Sequence, residues 1–261
     1  MVEEAAKKIK ELLKEEEFFA AVVGGSGIEL PGVEREIPYS EIPNMPLPAV
    51  PGHKGVVKLL SLNGKKVLFF EGRFHYYEGR EDWEIRFIPE LCSLLGVRVF
   101  IPTCASGAVS RKAAESEIGV IYDHINLLGR NPLVGLIKSY GARVFVNGKK
   151  FYSKRLVNAF LKKALELGID AVPAVLAANL GPNYETYTEI RLLEVLGVDC
   201  VSMSTVPEVI AANFYGMECV ALTVFTNDTL NPEASHEEVL EKAAERSAKL
   251  GKLIGEALIH L

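Results

Sequence analysis

The sequence predicts a single α/β domain: a twisted, mixed, mostly parallel central β-sheet flanked by helices. Three observations carry that expectation. Short apolar runs alternate with longer segments of helical period. Glycines close Leu91–Gly96, Leu165–Gly168 and Leu193–Gly197, and a β-prone apolar run follows each of them closely. The 261 residues are 49% hydrophobic and 24% charged, with no linker-like stretch, which suits one large core. The domain is expected to span residues 1–261, with residues 1–17 forming an N-terminal helix.

In chain order, charged and apolar residues alternate through Glu4–Glu16 as in an amphipathic helix. A strand is expected at Ala20–Gly24. A proline-rich loop from Pro38 to His53 lies beyond it, ordered by its prolines rather than by a ladder. Lys66–Glu71 reads as a strand, Trp83–Leu95 as a helix, and Arg98–Pro102 and Gly119–Tyr122 as strands. From Gly135 to Lys150 the pattern loosens, and Val144–Val146 with Asn147-Gly148 suggests a hairpin or an extended arm. Helices at Lys154–Leu167, Thr186–Leu196 and Val206–Phe214 alternate with strands at Ala171–Ala177, Asp199–Ser202 and Cys219–Phe225. A last helix, His236–Leu258, sets Val239, Ala243, Leu250, Ile254 and Ala257 on one side, fit to pack on the sheet.

Bulk chemistry narrows the function. A formal charge of −5 argues against a nucleic-acid partner, though a local pocket can still take a small anion. No apolar run approaches the roughly 20 residues of a membrane span, and the N-terminus lacks the pattern of a signal peptide. Cys92, Cys104, Cys200 and Cys219 are scattered, and no histidine pair has metal-ligand spacing. The expectation is a cytoplasmic protein with no metal and no organic cofactor.

Chemistry-bearing residues gather at expected strand ends, where sites form in such sheets. Gly24-Gly25-Ser26-Gly27 offers amides and a hydroxyl to a phosphate, or is only a tight turn. It lacks the glycines of a nucleophile elbow or a dinucleotide fingerprint. Gly72-Arg73-Phe74-His75-Tyr76-Tyr77-Glu78-Gly79, if extended, turns Arg73, His75 and Tyr77 to one side. A guanidinium fork, an imidazole and a phenol then suit a phosphate beside a sugar. The small residues of Thr103-Cys104-Ala105-Ser106-Gly107-Ala108 allow close approach to an anion, or close packing. In Gly181-Pro182-Asn183-Tyr184-Glu185-Thr186 an aromatic plate stands beside a carboxylate, fit to stack a heterocycle and accept from its N–H groups. Met203-Ser204-Thr205-Val206-Pro207-Glu208 opens a helix, and Phe225-Thr226-Asn227-Asp228 puts a carboxamide at the last strand end. His53 and His124 read as loop or structural histidines.

Gly-Arg-Phe-His-x-Tyr-Glu-Gly, Asp-His-Ile-Asn-Leu, Gly-Pro-x-Tyr-Glu-Thr and Met-Ser-Thr-Val-Pro-Glu-Val-Ile occur here in one order. From about Val23 to Val239 the chain resembles the trimeric purine nucleoside phosphorylases, of which 5′-methylthioadenosine phosphorylase is a near relative. The resemblance implies a nucleoside phosphorylase type of fold and phosphorolysis of purine nucleosides, with phosphate as co-substrate. It implies that Ser26, Arg73, His75, the Ala105 backbone and Ser204 hold phosphate with His53 beside it, and that Tyr77, Met203 and His236 line the ribose. Tyr184, Glu185 and Asn227 would hold the purine, with Val201 and Ser202 along its edge, and His75, Glu185 and Asn227 would act in catalysis. Phe145 best matches the aromatic residue that family members lend to a neighbouring subunit, in a homo-oligomer of which a trimer is favoured and a hexamer is open.

A carboxamide at 227 donates to N7 and O6 of a 6-oxopurine, which favours inosine and guanosine; the adjacent Asp228 would favour 6-aminopurines if the strand end shifted by one residue. Departures from the family occur at Cys104-Ala105-Ser106-Gly107 and at Glu29. Glu29 either points outward or weakens phosphate binding by repulsion. The alternatives are a 5′-methylthioadenosine or adenosine phosphorylase and a non-catalytic purine nucleoside binding protein. A binder has no need to keep Arg73, His75 and Ser204 together.

Overall fold

The computed structural model describes residues 1–25, 27–50, 52–229 and 236–261, with the backbone alone at 227, 228 and 236–243. Helix α1 (Val2–Leu13) buries Val2, Ala5, Ala6, Ile9 and Leu13 and ends at Lys14 in the left-handed conformation. Strand β1 (Ala20–Gly24) is buried along its whole length. Strands β2 (Val33–Pro38) and β3 (Val56–Leu62) follow, then β4 (Lys65–Glu71), helix α2 (Asp82–Ile85) and helix α3 (Phe87–Leu94). Next come β5 (Val99–Ala108), α4 (Arg111–Ala114), β6 (Ile118–Asn126), α5 (Ile137–Tyr140) and α6 (Lys154–Leu167). The chain continues through β7 (Ala171–Ala178), α7 (Tyr187–Val195), β8 (Cys200–Ser202) and α8 (Val206–Phe214), and ends with β9 (Glu218–Cys219), β10 (Ala221–Asp228) and α9 (His236–His260).

The strands form one mixed sheet in the order β10-β6-β7-β8-β5-β1-β4-β3-β2, with β9 beside β5. Parallel pairs outnumber antiparallel ones among the described residues. Strand β5 joins two halves: Val99–Pro102 run parallel to β1, and Thr103–Ala108 run parallel to β10. Because β10 also pairs with β6, the strands β5, β8, β7, β6 and β10 close into a ring. The carboxyl ends of β1 and β4 thus lie beside Pro102-Thr103 in the middle of β5, and those of β7 and β8 pair with each other.

The helix-Gly-strand units take the form expected from the sequence, with Gly168 closing α6 in the left-handed conformation. Three expectations are corrected. No strand is expected between Gly24 and Lys66, yet β2 and β3 form there and pair antiparallel at the edge, on either side of the Pro38–His53 loop. No hairpin forms at 135–150; Asn147 instead accepts a hydrogen bond from the Lys149 N–H and caps the 3-10 turn Gly148–Lys150. The expected helix Trp83–Leu95 breaks at Arg86 into α2 and α3.

Helix α9 carries a stripe of small residues against the turn after β1. A methyl group on Gly251 would stand 2.2 Å from the Glu29 carbonyl oxygen, and one on Gly255 would press Pro31 at 3.1 Å. The turn therefore lies directly on the helix, and the Lys65 Nζ ties the other end of α9 through the Leu258 and Ile259 carbonyls.

Candidate active site

Arg73 stands at the end of β4 and is 2% exposed. Its Nη2 donates to the Val23 carbonyl at 2.9 Å and to the Thr103 carbonyl, which tie the guanidinium to the end of β1 and the middle of β5. Its Nη1 donates to the hydroxyls of Ser204 and Thr205, each at 3.1 Å, and lies 3.2 Å from Glu208 Oε2. Burial pushes the Glu208 carboxyl up, opposed by the charge of Arg73 and the Thr205 N–H. Thr205 has φ 69° and ψ −55°, and the Val206 N–H donates across it to the Ser204 carbonyl at 2.7 Å. This is a γ-turn of the strained kind, at the start of α8. The strain lets one short segment offer two hydroxyls and a carboxyl to the same nitrogen.

The octet is extended only as far as His75; Tyr76–Glu78 form a 3-10 turn, which corrects the fully alternating reading. The turn is set by Glu78, whose Oε1 accepts from the His75 backbone N–H at 2.8 Å and the His75 Nδ1–H at 2.9 Å. Its Oε2 accepts from the Ala49 N–H at 3.0 Å and from Arg80. These partners outweigh burial and hold the Glu78 carboxyl at about 2. Even so, Tyr77 stacks on His75 with ring centres 4.6 Å apart, and His53 meets His75 edge-on at 5.3 Å. Phe74 and Tyr76 are buried in the core.

Both histidines are kept neutral. Burial, then the charge of Arg73 and then His75 push His53 down to about 4. Burial first and Arg73 as well lower His75, against Glu78. Their tautomers follow from their partners. The His53 Nδ1 accepts the Arg73 backbone N–H at 3.0 Å, so its proton sits on Nε2, which faces the Gly25 turn. His75 spends its Nδ1–H on Glu78 and presents a bare Nε2. One ring offers a donor and the other an acceptor, an arrangement that suits a partly protonated oxyanion.

At the end of β7, Asn179 Nδ2 donates to Glu185 Oε1 at 2.7 Å, and its backbone N–H donates to the Ser202 carbonyl at 2.9 Å. Gly181 has φ 72°, and a methyl group there would stand 2.4 Å from Met203 Sδ, so the thioether packs directly on the loop. Thr186 and Glu189 form a capping box that starts α7 just past Glu185. Tyr184 is 86% exposed and Phe145 76% exposed. Ser202 is buried in β8, and Val201 packs with Val109, Ala177, Ile190 and Leu193. Ala105 lies on β5 opposite Val224. Glu29 is exposed, and Lys54 feels its charge.

Arg73, His53, His75, Tyr77 and Ser204 are thus brought together, and Met203, next to Ser204, packs on the adjoining loop that carries Tyr184 and Glu185. Phe145 stands apart on the exposed segment. Ser26 and the side chains of Asn227 and His236 lie outside the described residues. The backbone of Asn227 pairs with Gly107 across a register shift after Phe225, so the strand end carries a bulge. His124 hydrogen-bonds the Tyr152 hydroxyl at 2.8 Å and stacks on Phe151.

Sequence reasoning gave no role to Glu78, Asn179, Thr205 or Glu208. The one available signal was Glu78, three residues after His75 inside a glycine-bounded stretch. Among the described residues no group of three His, Cys, Asp or Glu side chains is arranged to hold a metal, and no helix is long and apolar enough to cross a membrane.

Residues 20–259 match the family model described as the phosphorylase superfamily. A purine nucleoside phosphorylase 1 of Geobacillus stearothermophilus is 38% identical over 246 residues, covering 92% of this chain and 90% of its own. One from Bacillus subtilis is 37% identical over 260 residues, covering 97% and 96%. The Schistosoma mansoni purine nucleoside phosphorylase, solved in complex with inosine, superposes with a TM-score of 0.89 at 32% identity, over 100% of this chain and 96% of that one.

Proposed function

The chain belongs to the phosphorylase superfamily and is one of its purine nucleoside phosphorylases, a pentosyltransferase, and from that premise we propose that it cleaves 6-oxopurine nucleosides such as inosine and guanosine. Phosphate attacks C1′ and forms a C1′–O bond as the C1′–N9 bond breaks. The bonding pair leaves on the purine, which takes up a proton. The products are free base and (deoxy)ribose 1-phosphate. The observation that carries the reading is the meeting of Arg73 Nη1 with the Ser204 hydroxyl beside two neutral histidines of opposite polarity.

In this reading Ser26, His53, Arg73, His75, the Ala105 backbone and Ser204 hold the phosphate. Arg73 places negative charge beneath a sugar that gains oxocarbenium character, so position and electrostatics act together. His75, aimed by Glu78, accepts the phosphate proton. Tyr77, Met203 and His236 line the sugar. Tyr184, Val201, Ser202, Glu185 and Asn227 form the base site; Glu185 accepts from the purine N1–H and Asn227 meets charge developing at N7. The residue types at these positions support the roles, and none of them needs a metal or an organic cofactor. The exposure of Phe145 supports a homo-oligomer, with a trimer favoured, in which this ring covers a neighbour's sugar.

The test is base release from inosine, guanosine, adenosine and methylthioadenosine, with and without phosphate. Phosphate-dependent release from inosine and guanosine is expected. Release without phosphate removes the proposed reaction, a preference for adenosine or methylthioadenosine moves the substrate class, and tight binding without turnover makes the protein a binder.

A further inference from the structure

We infer that Asn179 is a positioning residue for base choice: by donating to Glu185 Oε1, it leaves the other carboxylate oxygen as a pure acceptor that requires an N–H on the purine ring. The inference rests on the proposed reading of Glu185 as the base-binding carboxylate. The Nδ2–Oε1 distance is 2.7 Å. The opposite orientation of the carboxamide would set its oxygen against a carboxylate oxygen, so the donor must face Glu185. The root of the side chain is fixed as well, because the Asn179 N–H is tied to the Ser202 carbonyl at the end of β8. A carboxamide does not titrate, so Asn179 remains a donor at every working pH.

The consequence for recognition is a difference at one ring atom. N1 of a 6-oxopurine carries hydrogen and donates to a carboxylate. N1 of a 6-aminopurine is a lone pair and meets it with repulsion. Glu185 freed from Asn179 turns about its own side-chain bonds and loses orientation. With an aspartate at 179, a first proton lies between the two carboxyls, and a second one, taken up from solvent at lower pH, puts an O–H on Glu185 that can donate to a 6-aminopurine N1.

The experiment compares wild type with Asn179→Asp and Asn179→Ala, measuring kcat/KM for inosine and adenosine from pH 5 to 9 at saturating phosphate, and KM for phosphate. For Asn179→Asp the inosine-to-adenosine ratio is expected to fall at least about tenfold from pH 9 toward pH 5, as the carboxyl pair takes up its second proton, while the wild-type ratio stays flat. For Asn179→Ala the inosine kcat/KM is expected to drop about tenfold, while phosphate KM moves less than about twofold. Should Asn179→Asp not fold, hypoxanthine binding to Asn179→Ala by calorimetry decides, with about tenfold weaker binding expected. An unchanged ratio and pH profile in folded Asn179→Asp, or unchanged hypoxanthine binding, overturns the inference. Failure of the underlying reading shows separately, as wild type that does not cleave inosine.

Discussion

Arg73 Nη1 and Glu208 Oε2 lie 3.2 Å apart, and both side chains are nearly closed to solvent. Removing one partner of such a pair strands a charge in the interior, which costs about 3–5 kcal/mol. Glu208→Leu is therefore expected to lower unfolding free energy by about that much. Glu208→Gln, which keeps an acceptor, should cost less. Urea titration of the three proteins checks the order. Because the Glu208 carboxyl holds Arg73 beside Ser204, phosphate KM should change in the Gln variant while nucleoside KM stays close to wild type.

Glu78→Gln tests the orientation of His75. A carboxamide no longer dictates that the His75 Nδ1 carries the proton, so kcat/KM for phosphate is expected to fall about 10- to 100-fold. The acid side gives a second measurement. The folded carboxyl sits at about 2 against its ordinary value of 4.5, so its contribution is fully present above 4.5 and is lost as pH falls toward 2. Over that window wild type should lose stability more steeply than Glu78→Gln. Parallel slopes in urea melts would remove the pairing.

Gly181→Ala forces a methyl group onto Met203 Sδ at a backbone angle that disfavours side chains. A loss of about 1–3 kcal/mol is expected. The same change should raise nucleoside KM more than phosphate KM, since the loop carries Tyr184 and Glu185 while Arg73 is tied elsewhere. Equal effects on the two would show that the loop does not serve the base.

The central sheet was legible because strands buried on both faces are largely apolar, as Ala20–Gly24 is throughout and Ala221–Phe225 is but for Thr223, and because glycine ends the helices between them. The edge was not. Strand β2 is exposed at Val33-Glu34-Arg35-Glu36 and carries no apolar run, and prolines mark the loop that leads from it to β3. Asn147-Gly148 has hairpin chemistry, but its local side-chain cap won over strand pairing. In the candidate site, residue types that meet small molecules were readable in Arg73, His75 and Glu185. Residues whose partners are other side chains were not, because Glu208 and Asn179 gain meaning only when folding brings Arg73 and Glu185 to them.

The ring of β5, β8, β7, β6 and β10 leaves no open strand in that half of the sheet. In the other half, among the described residues, β2 pairs with β3 alone and turns Glu34, Arg35 and Glu36 to solvent. Charges on an edge strand oppose the addition of a foreign strand. Protection of this edge against a foreign strand thus rests on three charged side chains of β2, and an apolar replacement there would endanger recovery of the protein before it touched turnover.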